Sequence, residues 1–268
     1  MPVPIYIVDA FAERPFQGNP AAICPLKEPA DAAWMQQVAA EMNLSETAYV
    51  LPQGKEFGLR WFTPKVEVDL CGHATLASAH LLWEQGLSPP GRPIRFQTRS
   101  GVLTCVKANG RIELDLPAEP EKAVSPMAEL AAALGTTPVY LGRNRFDLLV
   151  ELESEEAVRA VRPDFGRLQL IKARGVIVTA RADDSRFDFV SRFFAPAVGV
   201  NEDPVCGSAH CCLGPFWGAR LQKRELTGFQ ASPRGGIVGV RIEGDRVVLC
   251  GTAVTVVEGK LRVPPSPV

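Results

Sequence analysis

The sequence predicts an α+β fold of two similar domains, each a curled, mostly antiparallel sheet around one central buried helix. Three observations predict it. One block of sequence occurs twice, once in each half of the chain. Each copy ends in a helix that is apolar nearly all round. Most of the remaining segments alternate in the manner of strands.

The first copy starts at Arg60 and reads RWFTPKVEVDLCGHATLASAHLLW. The second starts at Arg192 and reads RFFAPAVGVNEDPVCGSAHCCLGPFW. Both run Arg, aromatic, Phe, a small residue and Pro. Two valines follow at matched offsets, Val66 and Val68 in one copy, Val198 and Val200 in the other. Both then reach Cys-Gly, a polar residue and Ala. The second copy carries three extra residues between its Pro and its Cys-Gly.

Alternation before the Pro reads as a strand, and Cys-Gly reads as a turn. The stretch after it reads as a helix. Ala74, Leu76, Ala77, Ala79, Leu81, Leu82 and Trp83 leave that helix almost no polar face, so it must be buried on all sides. Ala209, Cys211, Cys212, Leu213, Phe216 and Trp217 do the same in the second copy. Pro215 predicts a kink or an early break there.

Further strands are expected at Ile5–Ala10, Gly58–Thr63, Val102–Ala108, Arg111–Leu116, Leu148–Leu152, Gly175–Ala180, Ile237–Ile242, Val247–Cys250 and Ala253–Glu258. Surface helices are expected at Ala32–Met42 behind the N-cap Asp31, at Pro126–Leu134 and at Glu155–Val161. The Pro- and Glu-rich segment 117–125 reads as a linker. It divides domains at 1–116 and 126–252, and a strand near 253–263 could complete the first. The Pro-rich tail from Pro264 reads as frayed chain.

Composition narrows the function. The 268 residues hold 29 Lys+Arg against 30 Asp+Glu, a balance that points away from nucleic acid and toward a small-molecule partner. The start of the chain has no secretory pattern, and no apolar run approaches a membrane span. Seven cysteines, an odd number in a chain too large to need staples, read as free thiols in the cytoplasm. Cys24, Cys105 and Cys250 lie in apolar runs and read as small core residues.

The two helix starts suggest chemistry. A helix N-terminus offers unpaired N–H groups and the positive end of its dipole, which suits a carboxylate or an oxyanion. Two such ends are expected to face each other across a cleft between the domains. Gly72 and Gly207 would allow close approach of the backbone. His73, Asp203 and Ser208 could then reach a bound substrate. Glu46, in LSETAYV, is either a solvated turn residue or a partly desolvated general acid/base. Cys71 and Cys206 sit at equivalent helix starts, a position that lowers a thiol pKa. They are either turn-buried structural thiols or the paired thiols of a two-base racemase. No CxxC pair is present, and the Cys and His spacing matches no usual zinc pattern, so no metal is expected. CGSAH is not the GxSxG of a hydrolase elbow.

Four ordered motifs carry a family resemblance: DAF..RPF.GNPAA at 9–22, LSETAYV at 44–50, LCGHAT at 70–75 and NEDPVCGSAH at 201–210. Together they make the chain similar to the PhzF, or phenazine biosynthesis-like, family, which shares the diaminopimelate epimerase fold. The resemblance implies two barrel-like α+β domains, a site between them, a homodimer, and neither metal nor organic cofactor. It implies a proton-shifting isomerase with Glu46 as acid/base. His73, Asp203 and Ser208 would assist, Gly72 and Gly207 would form the helix starts, and Asn19 would line the site. Cys206 departs from the Thr of many members. With Cys71 it matches the paired cysteines of diaminopimelate epimerase and proline racemase relatives. His73 and Ser208 differ from those sequences, so Glu46 is preferred. The expected activity is therefore proton transfer on a small carboxylate. The alternatives are a two-thiol racemase or epimerase using Cys71 and Cys206, and a non-catalytic carboxylate-binding protein.

Overall fold

The computed structural model describes residues 2–89 and 91–265. Residues 266–268 of the Pro-rich tail lie outside the described residues. The chain divides into two compact units, one of Met1–Asp115 with Cys250–Val268, the other of Leu116–Leu249.

The first unit begins with β1 (Val3–Ala10), β2 (Asn19–Pro25), α1 (Ala32–Met42), β3 (Glu46–Gln53), β4 (Glu56–Phe62), β5 (Glu67–Val68) and α2 (Gly72–Glu84). It continues with β6 (Ile94–Thr98), β7 (Gly101–Ala108) and β8 (Arg111–Pro117). The second holds β9 (Lys122–Ala123), α3 (Ala128–Leu134), β10 (Tyr140–Arg143), β11 (Asp147–Glu151), α4 (Glu155–Ala160) and α5 (Phe165–Leu168). Then come β12 (Gly175–Arg181), β13 (Phe189–Ala195), a 3-10 turn at Pro196–Val198, β14 (Val200–Asp203) and α6 (Gly207–Leu221). It ends with β15 (Glu225–Gln230), β16 (Gly236–Glu243) and β17 (Arg246–Gly251). The last strand, β18 (Ala253–Leu261), returns to pair antiparallel with β1.

The internal repeat extends through the topology. Along β18-β1-β2-β3-β4-β6-β7 the pairings run antiparallel, antiparallel, parallel, antiparallel, parallel, antiparallel. Along β9-β10-β11-β12-β13-β15-β16 they run in the same succession. In each unit a short strand, β5 or β14, pairs with the repeat strand before the helix begins.

The repeat arginines explain the conserved shape of the two blocks. Arg60 donates from Nε and Nη2 to Glu67 at 2.7 and 2.8 Å, and Arg192 makes the same pair of bonds to Glu202 at 2.7 and 2.9 Å. Each guanidinium also lies over the Phe two residues on, Phe62 or Phe194. Both glutamates stand four residues before the Cys-Gly cysteine. The blocks therefore correspond by counting back from Cys-Gly, which matches Val68 with Asp203. The valine match does not hold in space: Val66 and Val198 are exposed, and the extra residues of the second copy form the 3-10 turn.

As the sequence requires, α2 is buried on nearly every face and packs on β1, β2, β3 and β18. Leu76, Leu81 and Leu82 are fully buried, each contributing about 2 kcal/mol of apolar transfer. Asp31 caps α1 by accepting from the N–H groups of Ala33 and Trp34. In the second unit α6 packs on β15 and β16. Its expected break at Pro215 does not occur, and the helix runs on to Leu221. Pro215 has no N–H for the Cys211 carbonyl one turn back, and that carbonyl instead accepts from the Glu119 N–H at 3.0 Å. The segment 117–125 is thus tied down: Ala118 also donates to Asp245, and Lys122–Ala123 pairs with β10.

None of the seven cysteines forms a disulfide; Cys24 and Cys105 are core residues as expected, whereas Cys250 is only half-buried. Among the described residues no helix is long and apolar enough to cross a membrane.

Two stability outcomes follow. Arg192 has a side chain 9% exposed and Arg60 one 34% exposed. Arg192→Met strands Glu202 in the interior and should cost about 3 kcal/mol. Arg60→Met should cost about 1 kcal/mol; urea denaturation of both variants measures the difference. His210 is fully buried on α6, donates from Nδ1 to the Cys206 carbonyl at 2.8 Å, and is pushed by burial to a pKa of about 4. Its folded pKa is depressed, so the unfolded chain takes up the proton first as pH falls. Stability should therefore fall from about pH 6.5 toward pH 4, by up to about 1.4 kcal/mol per pH unit from this residue. His210→Gln should remove its share of that limb in urea midpoints measured across the same range, leaving the part that comes from His73, whose pKa burial also depresses.

Candidate active site

In the first unit a tight turn brings the site residues together. Gly18 has φ +65°, and a Cβ there would lie 2.1 Å from the Ala10 carbonyl oxygen, so only glycine closes the turn. Ala10 then pairs with Asn19, which becomes the first residue of β2. Parallel pairing of Ala21 with Glu46 places Glu46 at the first position of the neighbouring strand β3. The helix α2, packed on both strands, starts at Gly72 behind the N-cap position of Cys71.

Four of the expected residues therefore meet. The Asn19 Nδ2 lies 3.1 Å from His73 Nδ1, and Cys71 Sγ lies 3.6 Å from the same ring nitrogen. On the other side of the ring, His73 Nε2 is 3.3 Å from Glu46 Oε2. That pair is in reach of a hydrogen bond but not aligned as one. The His73 side chain is 4% exposed and that of Glu46 is 17% exposed. Burial pushes His73 to a pKa of about 3, so its imidazole is neutral and the contact with Glu46 is not an ion pair. No side chain caps α2, leaving the Gly72, His73 and Ala74 N–H groups unbonded within the helix.

Glu46, Cys71 and His73 each offer a donor atom within 4.8 Å of one another. One ion held at Nε2 would adjoin Glu46, whereas Cys71 faces Nδ1. The thiol, imidazole and carboxylate thus form one compact group, with the Cys71 sulfur and the Glu46 carboxylate close to each other as well as to the ring.

In the second unit Asp203, Cys206, Gly207 and Ser208 gather at the start of α6. Cys206 Sγ is 3.4 Å from Ser208 Oγ. Its thiol does not behave as the helix-start argument predicts: burial first, and the Asp203 charge second, push it well above the ordinary thiol range, with Arg174 opposing. Desolvation of the thiolate outweighs the helix dipole.

Three residues of this group carry no sequence signal. Arg174 donates to Ser208 Oγ at 2.8 Å and to both carboxylate oxygens of Asp147, which is fully buried. Burial alone would lower the Arg174 pKa, but the Asp147 bonds and charge raise it above the usual range. Gln230 accepts from the Cys206 N–H at 2.9 Å and donates to the Asp203 carbonyl at 2.6 Å, fixing the turn into α6. These residues lie 24 to 34 positions from their partners, beyond any local pattern.

The repeat shows how the two groups differ. Trp61 pairs with Ala48, and Ala21 with Glu46; their counterparts Phe193 and Asp147 pair with Ile177 and Gly175. The position of Glu46 is thus taken by Gly175 in the second unit, and that of His73 by Ser208. The cysteines repeat; the carboxylate and imidazole do not.

Residues 8–259 match the family described as phenazine biosynthesis-like protein. An uncharacterized isomerase of Halalkalibacterium halodurans is 53% identical over 97% of this chain and 99% of its own. A PhzF-family crystal structure from Enterococcus faecalis superposes with TM-score 0.94 at 44% identity, covering 98% of this chain and 100% of that one. A probable proline racemase from Agrobacterium radiobacter shares the fold alone, with TM-score 0.68 at 11% identity over 98% of this chain and 94% of its own. The structure is accordingly of the diaminopimelate epimerase type. The chain is an isomerase, and it belongs to the phenazine biosynthesis-like family.

Proposed function

We propose that this isomerase moves a proton on a small carboxylate substrate without a cofactor, using Glu46 as its general acid/base. The supporting observation is the placement of Glu46 against a neutral, buried His73 at the open start of α2. Glu46 removes a proton from a carbon beside a π system. The electron pair moves into that π system, and the helix N–H groups stabilise the oxyanion that develops. The same carboxyl group returns the proton to a second carbon, which restores the carboxylate. Asn19, Gly72 and His73 serve this group; Asp203, Gly207 and Ser208 form the corresponding polar group of the second unit, at the start of α6.

The asymmetry of the repeat also favours Glu46. A two-thiol mechanism needs matched thiols, one of them a resting thiolate. Cys206 is held in the thiol form by its burial, whereas the acid/base carboxylate is present in one unit only.

Incubation with small cyclic and amino-acid-like carboxylates in heavy water tests the assignment by mass spectrometry. Wild type should place deuterium in one compound class. Glu46→Gln should lower that exchange by roughly 10²–10⁴-fold, while Cys206→Ser stays within about tenfold of wild type. Exchange retained in Glu46→Gln and lost in Cys206→Ser would transfer the chemistry to the thiols. Binding of a carboxylate with no exchange would argue for a binding protein.

A further inference from the structure

Asn19 is fully buried at the first position of β2, with its amide Nδ2 3.1 Å from His73 Nδ1. An amide nitrogen only donates, so the ring nitrogen that it faces must accept. Cys71 Sγ lies 3.6 Å from the same nitrogen, and a thiol there is a weak partner that can donate to a bare ring nitrogen. A proton on Nδ1 would meet the amide N–H head-on, with only the weakly accepting thiol sulfur beside it. It is therefore excluded from that position by geometry, in the neutral ring and in the imidazolium alike. The ring's one proton is left on Nε2, the nitrogen 3.3 Å from Glu46 Oε2.

We propose that Asn19 is a positioning residue that fixes His73 as its Nε2–H tautomer, so that the ring presents a hydrogen-bond donor to Glu46. Its role in catalysis rests on the reading of Glu46 as the acid/base; the tautomer itself does not. An Nε2–H turned toward the carboxylate favours the charged form that accepts a proton. The opposite tautomer would set a lone pair against the carboxylate and favour the protonated acid. The same geometry sets Cys71 apart from a racemase thiolate. A thiolate at Sγ would face the Nδ1 lone pair with no proton between them.

The test is ¹⁵N NMR of the histidine rings. The chain has three histidines, so His80→Gln and His210→Gln spectra identify the His73 signals. In wild type, His73 Nδ1 should appear as a bare ring nitrogen and Nε2 as a protonated one, unchanged from pH 8 to pH 6. A protonated Nδ1 in wild type would overturn the proposal, whatever the variants do. Asn19→Asp replaces the donor with an acceptor and should move a proton onto Nδ1; an unmoved Nδ1 signal in the folded variant would also overturn it. With an exchange substrate in hand, Asn19→Asp should lower kcat at least about tenfold and leave KM within about threefold. A loss confined to KM would show that Asn19 contacts substrate instead of setting the ring. If the tautomer holds but Glu46→Gln still exchanges deuterium, the acid/base assignment fails and the ring geometry stands.

Discussion

A helix with no polar face can exist in water only if something closes around it. That constraint shapes both units of this protein. Leu76, Leu81 and Leu82 lie fully inside, and so do Ala74, Ala77 and Ala79 between them. The small residues let β1, β2 and β3 approach closely, and the large ones fill what remains. A helix enclosed in this way has its ends in the wall of the sheet. Its first turn then starts where strands begin, and side chains at the first positions of those strands meet the His73 ring there. Asn19 and Glu46 are such side chains. The site is a consequence of burying the helix.

The duplicated plan separates scaffold from chemistry. Both units keep the strand succession, the Arg–Glu bridge and the cysteine before the helix. What differs lies at the helix starts. One unit places a carboxylate and an imidazole there, the other a hydroxyl, a guanidinium and a buried aspartate. A fold that repeats its framework can specialise one copy without disturbing the other's packing.

Much of this was legible in the residues. The all-apolar helices, the Asp31 cap and most strands follow from periodicity and capping, because those signals are local. The Cys-Gly helix starts followed from the repeat. What escaped were the features made by distance. Arg174 and Asp147 meet because β11 and β12 are parallel neighbours, with Asp147 paired to Gly175. Gln230 reaches the turn into α6 from a strand that follows the helix. The Cys211 carbonyl that Pro215 leaves without its helical partner is met by the N–H of Glu119, in a segment that looked like a linker. The Cys206 thiol was misjudged for a related reason: a helix dipole can be seen in a sequence, but the depth of burial that opposes it cannot.

The return of β18 to β1 has a consequence for biogenesis. The second unit is continuous in sequence, from Leu116 to Leu249, and every strand of its sheet emerges in one uninterrupted run. The first unit is split. Its β1 must wait for residues 253–261, a strand made long after it. Until residues 253–261 emerge, one edge of β1 is therefore an unpaired ladder, while the unit that began later can already be complete. The half that carries Glu46 is begun first yet closes after the half that follows it, so the surroundings of Glu46 are completed only once residues 253–261 return.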